Sequence, residues 1–332
     1  MKKTIRIFAL LLILGLIAGS FTACKDDSGK IKIGISLPTQ REERWTIDYR
    51  GFIQAAEALD VEVIIQIADN DAALQLRQVE NMITMGVQAL IIAPHDAGAA
   101  RQLIQIAHAE NIPVIVYDRP VSGGNADLYI CVNQFEIGRA MGQYIWDNVP
   151  SGNLVFLKGD AQDNTVYPLA EGAKYVLQPR LDSGEYNIVM EQFVVGWEPA
   201  RAMRLVEQAL TVNRNNIQGV IAPNDGTAGG IIQALAAEGL AGIVPVTGQD
   251  AEIGAIQRIL AGTQGMTILY DNFAMAEAAL QAAVRIINGE DSGATSEDED
   301  GTPMLDFQPV KITKDNWQLL IERGLITEDD LK

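Results

Sequence analysis

From residue 31 onward the chain alternates between two hydrophobic periods. Residues 31–37 alternate apolar and polar positions as a strand does; residues 45–59 then put Phe52, Ala55, Ala56 and Leu59 on one helical face. The unit recurs as strand 61–67 with helix 72–85 and strand 89–94 with helix 97–110, followed by strands 113–118 and 128–133. In the second half, strands are predicted at 154–157, 187–193, 219–222, 244–247 and 266–270. Helices are predicted at 166–177, 200–213, 227–238, 253–261 and 274–288. Residues 291–301 read as a solvated acidic loop, 304–312 as one more strand and 317–323 as a last short helix. Continuous Val, Ile and Leu strands joined by helices belong to parallel sheets covered on both faces. About ten strands and nine helices exceed one compact sheet, which makes the fold class α/β with two doubly wound parallel-sheet lobes.

The first 30 residues break this pattern. Lys2, Lys3 and Arg6 precede an apolar run over 7–18, too short for a comfortable membrane span, and a small-residue stretch ending at Cys24. Residues 1–23 therefore read as a signal peptide. Thr22-Ala23-Cys24 resembles a bacterial lipobox, with Phe21 where leucine is usual, so Cys24 is expected to carry lipid and residues 24–30 to be a polar tether. The expected location is extracytoplasmic, lipid-anchored to the cell membrane. Cys131, in an apolar strand, is expected as a buried thiol.

Composition narrows the partners. Hydrophobic residues make up 48% and charged residues 20%, values of a globular chain. The net charge is −18, and the signal peptide holds three bases and no acid, so the mature chain is more acidic still. Such a surface repels phosphate backbones, which excludes nucleic acid. Two cysteines cannot build a disulfide scaffold.

Open parallel sheets bind ligands beyond the carboxyl ends of their strands. Those ends deliver Arg44 and Trp45, Asp118 and Arg119, Asp163 and Asn164, Trp197, Asn224, Asp250 and Tyr270. Arg, Asp and Asn present planar forks of donors or acceptors that hold vicinal hydroxyls, and indole rings cover the C–H faces of a sugar. A neutral polyol fits this set. Simpler roles exist for each residue: Asp225 and Asp250 as helix caps, Arg119 as a loop charge, Trp45 as half-buried core, Asp163-Asn164 as an Asx turn. The two histidines, His95 and His108, stand without a metal-binding or nucleophile motif, so no catalytic residue, metal or cofactor is expected and the protein is not read as an enzyme.

The stretches Glu43-Arg44-Trp45, Gln78 to Met82, Tyr117-Asp118-Arg119, Asp163-Asn164, Asn224 to Gly230 and Gly248-Gln249-Asp250 carry a family resemblance. In this order the chain resembles periplasmic sugar-binding proteins of the ribose and galactose type, and most closely the D-xylose binders of ABC importers. The resemblance implies two lobes, residues 31–133 with 271–305 and residues 134–270 with 306–332, joined by a three-strand hinge near Asn133, Tyr270 and Asp306. It implies sugar contacts at Arg44, Arg119, Asp163, Asn164, Asn224 and Asp250, with stacking at Trp45 and Trp197. Tyr270 stands where xylose binders have a lysine, which changes which hydroxyl is held there. The implied ligand is a monosaccharide, D-xylose first and another pentose or hexose otherwise. The implied partner of the monomer is an ABC permease with its ATPase. The same fold admits a second output, a report to a membrane histidine kinase or chemoreceptor, and some relatives take autoinducer-2.

Overall fold

The structure, a computed structural model, describes residues 29–121, 123–298 and 300–331. The expected signal peptide, Cys24 and most of the tether lie outside the described residues.

The first sheet is built from β1 (Lys32–Leu37), β2 (Glu62–Ile67), β3 (Ala89–Ile92), β4 (Val114–Tyr117) and β5 (Leu128–Val132), all parallel, in the order β2-β1-β3-β4-β5. Helices α1 (Glu43–Leu59), α2 (Ala72–Thr84) and α3 (Ala97–Ala109) connect the first four strands. Strand alternation sends Leu90, Ile92, Val114 and Val116 to one face, where they meet Val79, Met82, Leu103 and Ile104 of α2 and α3. Each such fully buried side chain is worth about 1.5–3 kcal/mol relative to exposure. Asp71 and Asp96 start α2 and α3 by accepting from Ala73 and Leu74 N–H and from Ala99 N–H. Cys131 is a buried free thiol, and burial raises its proton affinity, with Asp306 adding to the effect.

A second sheet holds β6 (Gly152–Lys158), β7 (Tyr186–Phe193) and β8 (Gly219–Ile221) in the order β7-β6-β8, again parallel. The strand expected over 244–247 reduces to one bridge, Val220 to Val246, because Pro245 has no N–H to continue the ladder. Leu154 and Phe156 pack toward α4 (Gln134–Asn148) and α5 (Val166–Asp182), while Val155 and Leu157 pack toward α6 (Pro199–Val212) and α7 (Asp225–Ala237). Helix α8 (Ile253–Ala261) and β9 (Thr267–Leu269) complete this half.

Helix α4 goes beyond the sequence expectation, which passes directly from strand 128–133 to strand 154–157. Its glycines explain both its use and its concealment. A Cβ on Gly138 would lie 1.9 Å from Leu169 O of α5, and one on Gly172 of α5 would lie 2.0 Å from Phe135 O. Only glycine lets the two backbones touch there, and glycine is what weakens the helical signal.

Three passages of chain link the two halves, the second and third of them through a separate two-stranded sheet. The first runs from β5 through Asn133, whose side chain caps α4 by accepting from Glu136 N at 3.1 Å. The second runs from β9 through Tyr270 and Asp271 into α9 (Asn272–Ile287), which packs on α1 and the first sheet. For the third, the single strand expected over 304–312 is two strands in different sheets. β11 (Pro303–Phe307) pairs parallel with β5, and β12 (Val310–Ile312) pairs antiparallel with β9, with Pro309 breaking the ladder between them. Within the expected acidic loop, β10 (Ser296–Glu297) forms a short antiparallel edge on β11. The last helix shortens to α10 (Leu319–Glu322).

Candidate functional site

The carboxyl ends of both sheets face one cleft. It is lined by Glu42, Arg44, Trp45, Asp118, Arg119, Gln134, Asp163, Thr165, Trp197, Asn224, Gln249 and Asp250. The space between protein atoms is about 330 Å³ counting the open side, yet only about 20 Å³ of it is roomy enough for a water. The lining side chains draw together across it.

Arg44 is the hub on the α1 side. It is 5% exposed and donates from Nη1 to Asp118 Oδ1 at 2.9 Å and Tyr270 Oη at 2.8 Å, and from Nη2 to Asp48 Oδ2 at 3.1 Å. Burial alone would lower its proton affinity, but Asp118, Tyr270 and Asp48 outweigh it and hold the guanidinium charged well above its ordinary range. Asp48 shifts the opposite way: burial raises its proton affinity, and Arg44, Tyr117 and Asn272 only partly offset it. Its coordination argues that it is ionised, because Tyr117 Oη at 2.6 Å and Asn272 Nδ2 at 2.9 Å donate to it besides Arg44.

Arg119 is buried rather than a loop charge. Its Nε pairs with Asp163 Oδ2 at 2.8 Å and its Nη1 donates to Pro94 O. Asp163 also accepts from Thr165 N and Oγ1 at 3.0 and 2.6 Å, so it makes the expected Asx turn and the cleft contact together. Trp45 is fully buried, with Arg44 4.2 Å and Arg119 5.2 Å from its ring centroid, so it holds the two cations in place. Trp197 sits against Gly159, where a Cβ would overlap the indole at 2.1 Å.

Asn224 caps α7 through a capping box with Thr227, and its Nδ2 donates to Asp250 Oδ2 at 3.3 Å. Asp250 caps no helix: α8 begins after Glu252. Instead, Asp250 accepts from Tyr270 Oη, and burial raises its proton affinity despite Arg44 nearby. Tyr270 thus stands behind Arg44 and Asp250 and orients both. Asn164 is half-buried and lies beside the lining rather than in it, between Asp163 and Thr165, which do line the cleft. Asp118, Trp197 and Asp250 have φ of 64°, 55° and 101°, a left-handed backbone that costs on the order of 1–3 kcal/mol per residue and gathers where ligands are held.

Sequence reasoning missed Glu42, Gln134, Thr165 and Gln249 as lining residues, and placed Asp118 at a strand end without giving it a sugar contact. Asp118 was readable as the strand-end neighbour of Arg119. Gln134 follows the first passage between sheets and carried no signal of its own. Among the described residues, six buried side-chain polar atoms have no hydrogen-bond partner, and five line this cleft: Glu42 Oε2, Trp45 Nε1, Gln134 Oε1, Trp197 Nε1 and Gln249 Oε1.

Contacts at the rim also join the two halves. Arg41 Nη1 donates to Gly196 O at 2.6 Å, and Ala97 N donates to Gln162 O at 3.1 Å. Helices α1 and α8 exchange caps: Glu43 N donates to Glu252 Oε1 at 3.3 Å, and Ile253 N to Glu43 Oε2 at 3.2 Å. Burial, with Asp225, Asp250 and Glu43 adding to it, pushes Glu252 up to about 9. Asp225, raised by its own burial and by Asp250, accepts from Gln264, Thr267 and Glu252 N–H, the coordination of a carboxylate, which leaves the proton on Glu252. The folded state therefore holds a proton that the unfolded chain releases near pH 4.3, so the contribution of Glu252 to stability is fully present in acid and is lost as pH rises from about 4 toward about 9. Melting temperatures across that range should fall less steeply for Glu252→Gln than for the wild type; parallel curves would contradict the assignment.

A sequence model of the periplasmic binding protein domain matches residues 33–291. The chain is 37% identical to the D-xylose-binding periplasmic protein of Escherichia coli K12 over 306 residues, 91% of this chain and 93% of that one. The Haemophilus influenzae protein of the same name is 35% identical, over 92% of this chain and 93% of its own. A carbohydrate transporter solute binding protein from Chloroflexus aurantiacus, solved in complex with D-glucose, superposes with a TM-score of 0.83 at 30% identity, covering 90% of this chain and 97% of that one. With its paired parallel sheets and one cleft at their carboxyl ends, the chain belongs to the periplasmic binding protein family, a family of binding proteins and not enzymes, and has the type I fold.

Proposed function

We propose that this protein is the extracytoplasmic receptor of an ABC importer that binds one monosaccharide in the cleft, D-xylose as the first candidate. The observation that carries this reading is the gathering of five unpartnered buried polar atoms at one place. Each costs about 1–3 kcal/mol while unpaired, and together they include donors and acceptors. A hydroxyl is both, so a polyol answers the set in a way that an anion or an apolar ligand does not. The names of the relatives, xylose-binding in two bacteria, and the glucose in the related structure point to the same ligand class.

In this reading residues 31–133 with 271–307 form one lobe and residues 134–270 with 308–332 the other, the expected boundary at 306 moving because β11 pairs with β5 through Phe307. The three passages near Asn133, Tyr270 and Asp306 act as the hinge, the third crossing at Gln308 and Pro309 because β11 stays with the first sheet through Phe307. Sugar shifts the population toward the closed form only through contacts that both lobes make, which the division of the lining residues between the two sheets supports. The rim bonds of Arg41 and the exchanged caps of Glu43 and Glu252 then hold the closed form, which presents both lobes to a permease. Lipid on Cys24 would keep the receptor beside it.

A thermal-shift screen of pentoses, hexoses and autoinducer-2 tests the reading. A ligand at a thousand times its Kd adds about 4 kcal/mol of stability, a shift of several degrees. D-Xylose is expected to give the largest shift. A larger shift from another sugar reassigns the ligand within the class, and no shift from any of them refutes the receptor.

A further inference from the structure

Glu42 immediately precedes α1, at the N-cap position that Ser, Thr, Asp or Asn ordinarily fills. Its side chain makes no capping bond. It is 8% exposed, lines the cleft, and its Oε2 has no hydrogen-bond partner. The guanidinium beside it, Arg119, is already paired with Asp163. The carboxyl meets its own N–H, but Oε2 is left unpaired, and a buried acceptor in that state costs stability unless something donates to it.

We propose that Glu42 is a further ligand-contacting residue: its free oxygen accepts a hydrogen bond from one hydroxyl of the bound sugar and so rejects analogues that lack it. The inference rests on the sugar-binding reading above. A site built to bond a hydroxyl discriminates strongly against the analogue without one, because the protein group is then left buried and unpaired.

The charged groups facing Glu42 fix the expected pH behaviour. Arg119, at the end of β4, and Arg41, on its own loop, favour the carboxylate, whereas Asp250, ahead of α8, disfavours it. Burial outweighs the cations and raises its proton affinity above the ordinary glutamate range. An ionised acceptor is lost on protonation, so the contribution of Glu42 to binding falls as pH drops toward the ordinary glutamate range.

Calorimetric titration of the purified wild type, Glu42→Gln and Glu42→Leu with the best-binding sugar and its monodeoxy analogues tests this. Glu42→Leu is expected to weaken the parent sugar at least tenfold and to bind one monodeoxy analogue as well as the parent. Glu42→Gln, which keeps the shape, is expected to fold normally, and the ratio of its Kd to the wild-type Kd should shrink as pH falls. If the wild type binds sugar and both variants keep its affinity within twofold with unchanged analogue ranking, the role of Glu42 is overturned alone. If the wild type binds no sugar, the receptor reading falls and this inference with it.

Discussion

Arg44→Ala is expected to lower folding stability by about 3–5 kcal/mol, the usual consequence of removing one partner from a buried ionic network. Asp48 and Asp118 would stay buried, at 0% and 3% exposure, with their cation gone. Tyr270 Oη would lose a donor, and the ring of Trp45 would lose the guanidinium packed on it. In urea denaturation this appears as a lower midpoint with an unchanged slope. A loss below about 1 kcal/mol, the scale of an exposed pair, would contradict the hub assignment.

Asp250→Asn and Arg119→Ala are each expected to weaken sugar binding by more than tenfold. Asp250 accepts from Asn224 and Tyr270 at the edge of the cleft, so its carboxylate is already shaped and aimed. Asparagine is the informative replacement because it tolerates the φ of 101°, whereas alanine would add backbone strain to the lost acceptor. Arg119 is positioned by Asp163 and by Pro94 O, and its loss leaves Asp163 with only the Thr165 donors. Calorimetric Kd values measure both effects. Affinity within threefold of wild type, with an unchanged fold, would remove that residue from the site.

The fold was legible where local pattern and tertiary position coincide. Parallel strands buried on both faces are continuous apolar runs, so β1 to β6 stand within a few residues of their predicted spans. Pattern failed where one stretch serves two sheets: residues 304–312 mix apolar and polar positions as a single strand would, and only Pro309 marks the point where β11 gives way to β12. It failed again at α4, whose glycines are there for contact with α5 and depress the signal that would announce the helix.

The site was legible for a similar reason. Strand ends converge by topology, so a polar residue just after a strand is a candidate without further knowledge. Arg119, Asn224 and Asp250 are of this kind, and the structure brings them to one cleft. Whether an acid caps a helix or faces the cleft depends on side-chain direction, which spacing does not carry. Asn224 does both, Asp250 only faces the cleft, and Glu42 looks like a cap and makes no capping bond. Tyr270 and Asn164 show the converse. Each is beside the cleft in sequence, but one stands behind the lining and the other next to it.

Isothermal titration of the purified protein decides whether this cleft takes one neutral monosaccharide. One sugar per chain is expected, with a Kd below about 100 μM, roughly −5.5 kcal/mol, and at least tenfold weaker binding in Asp250→Asn. Absence of binding heat with every pentose and hexose tried, or equal affinity in Asp250→Asn, would contradict it.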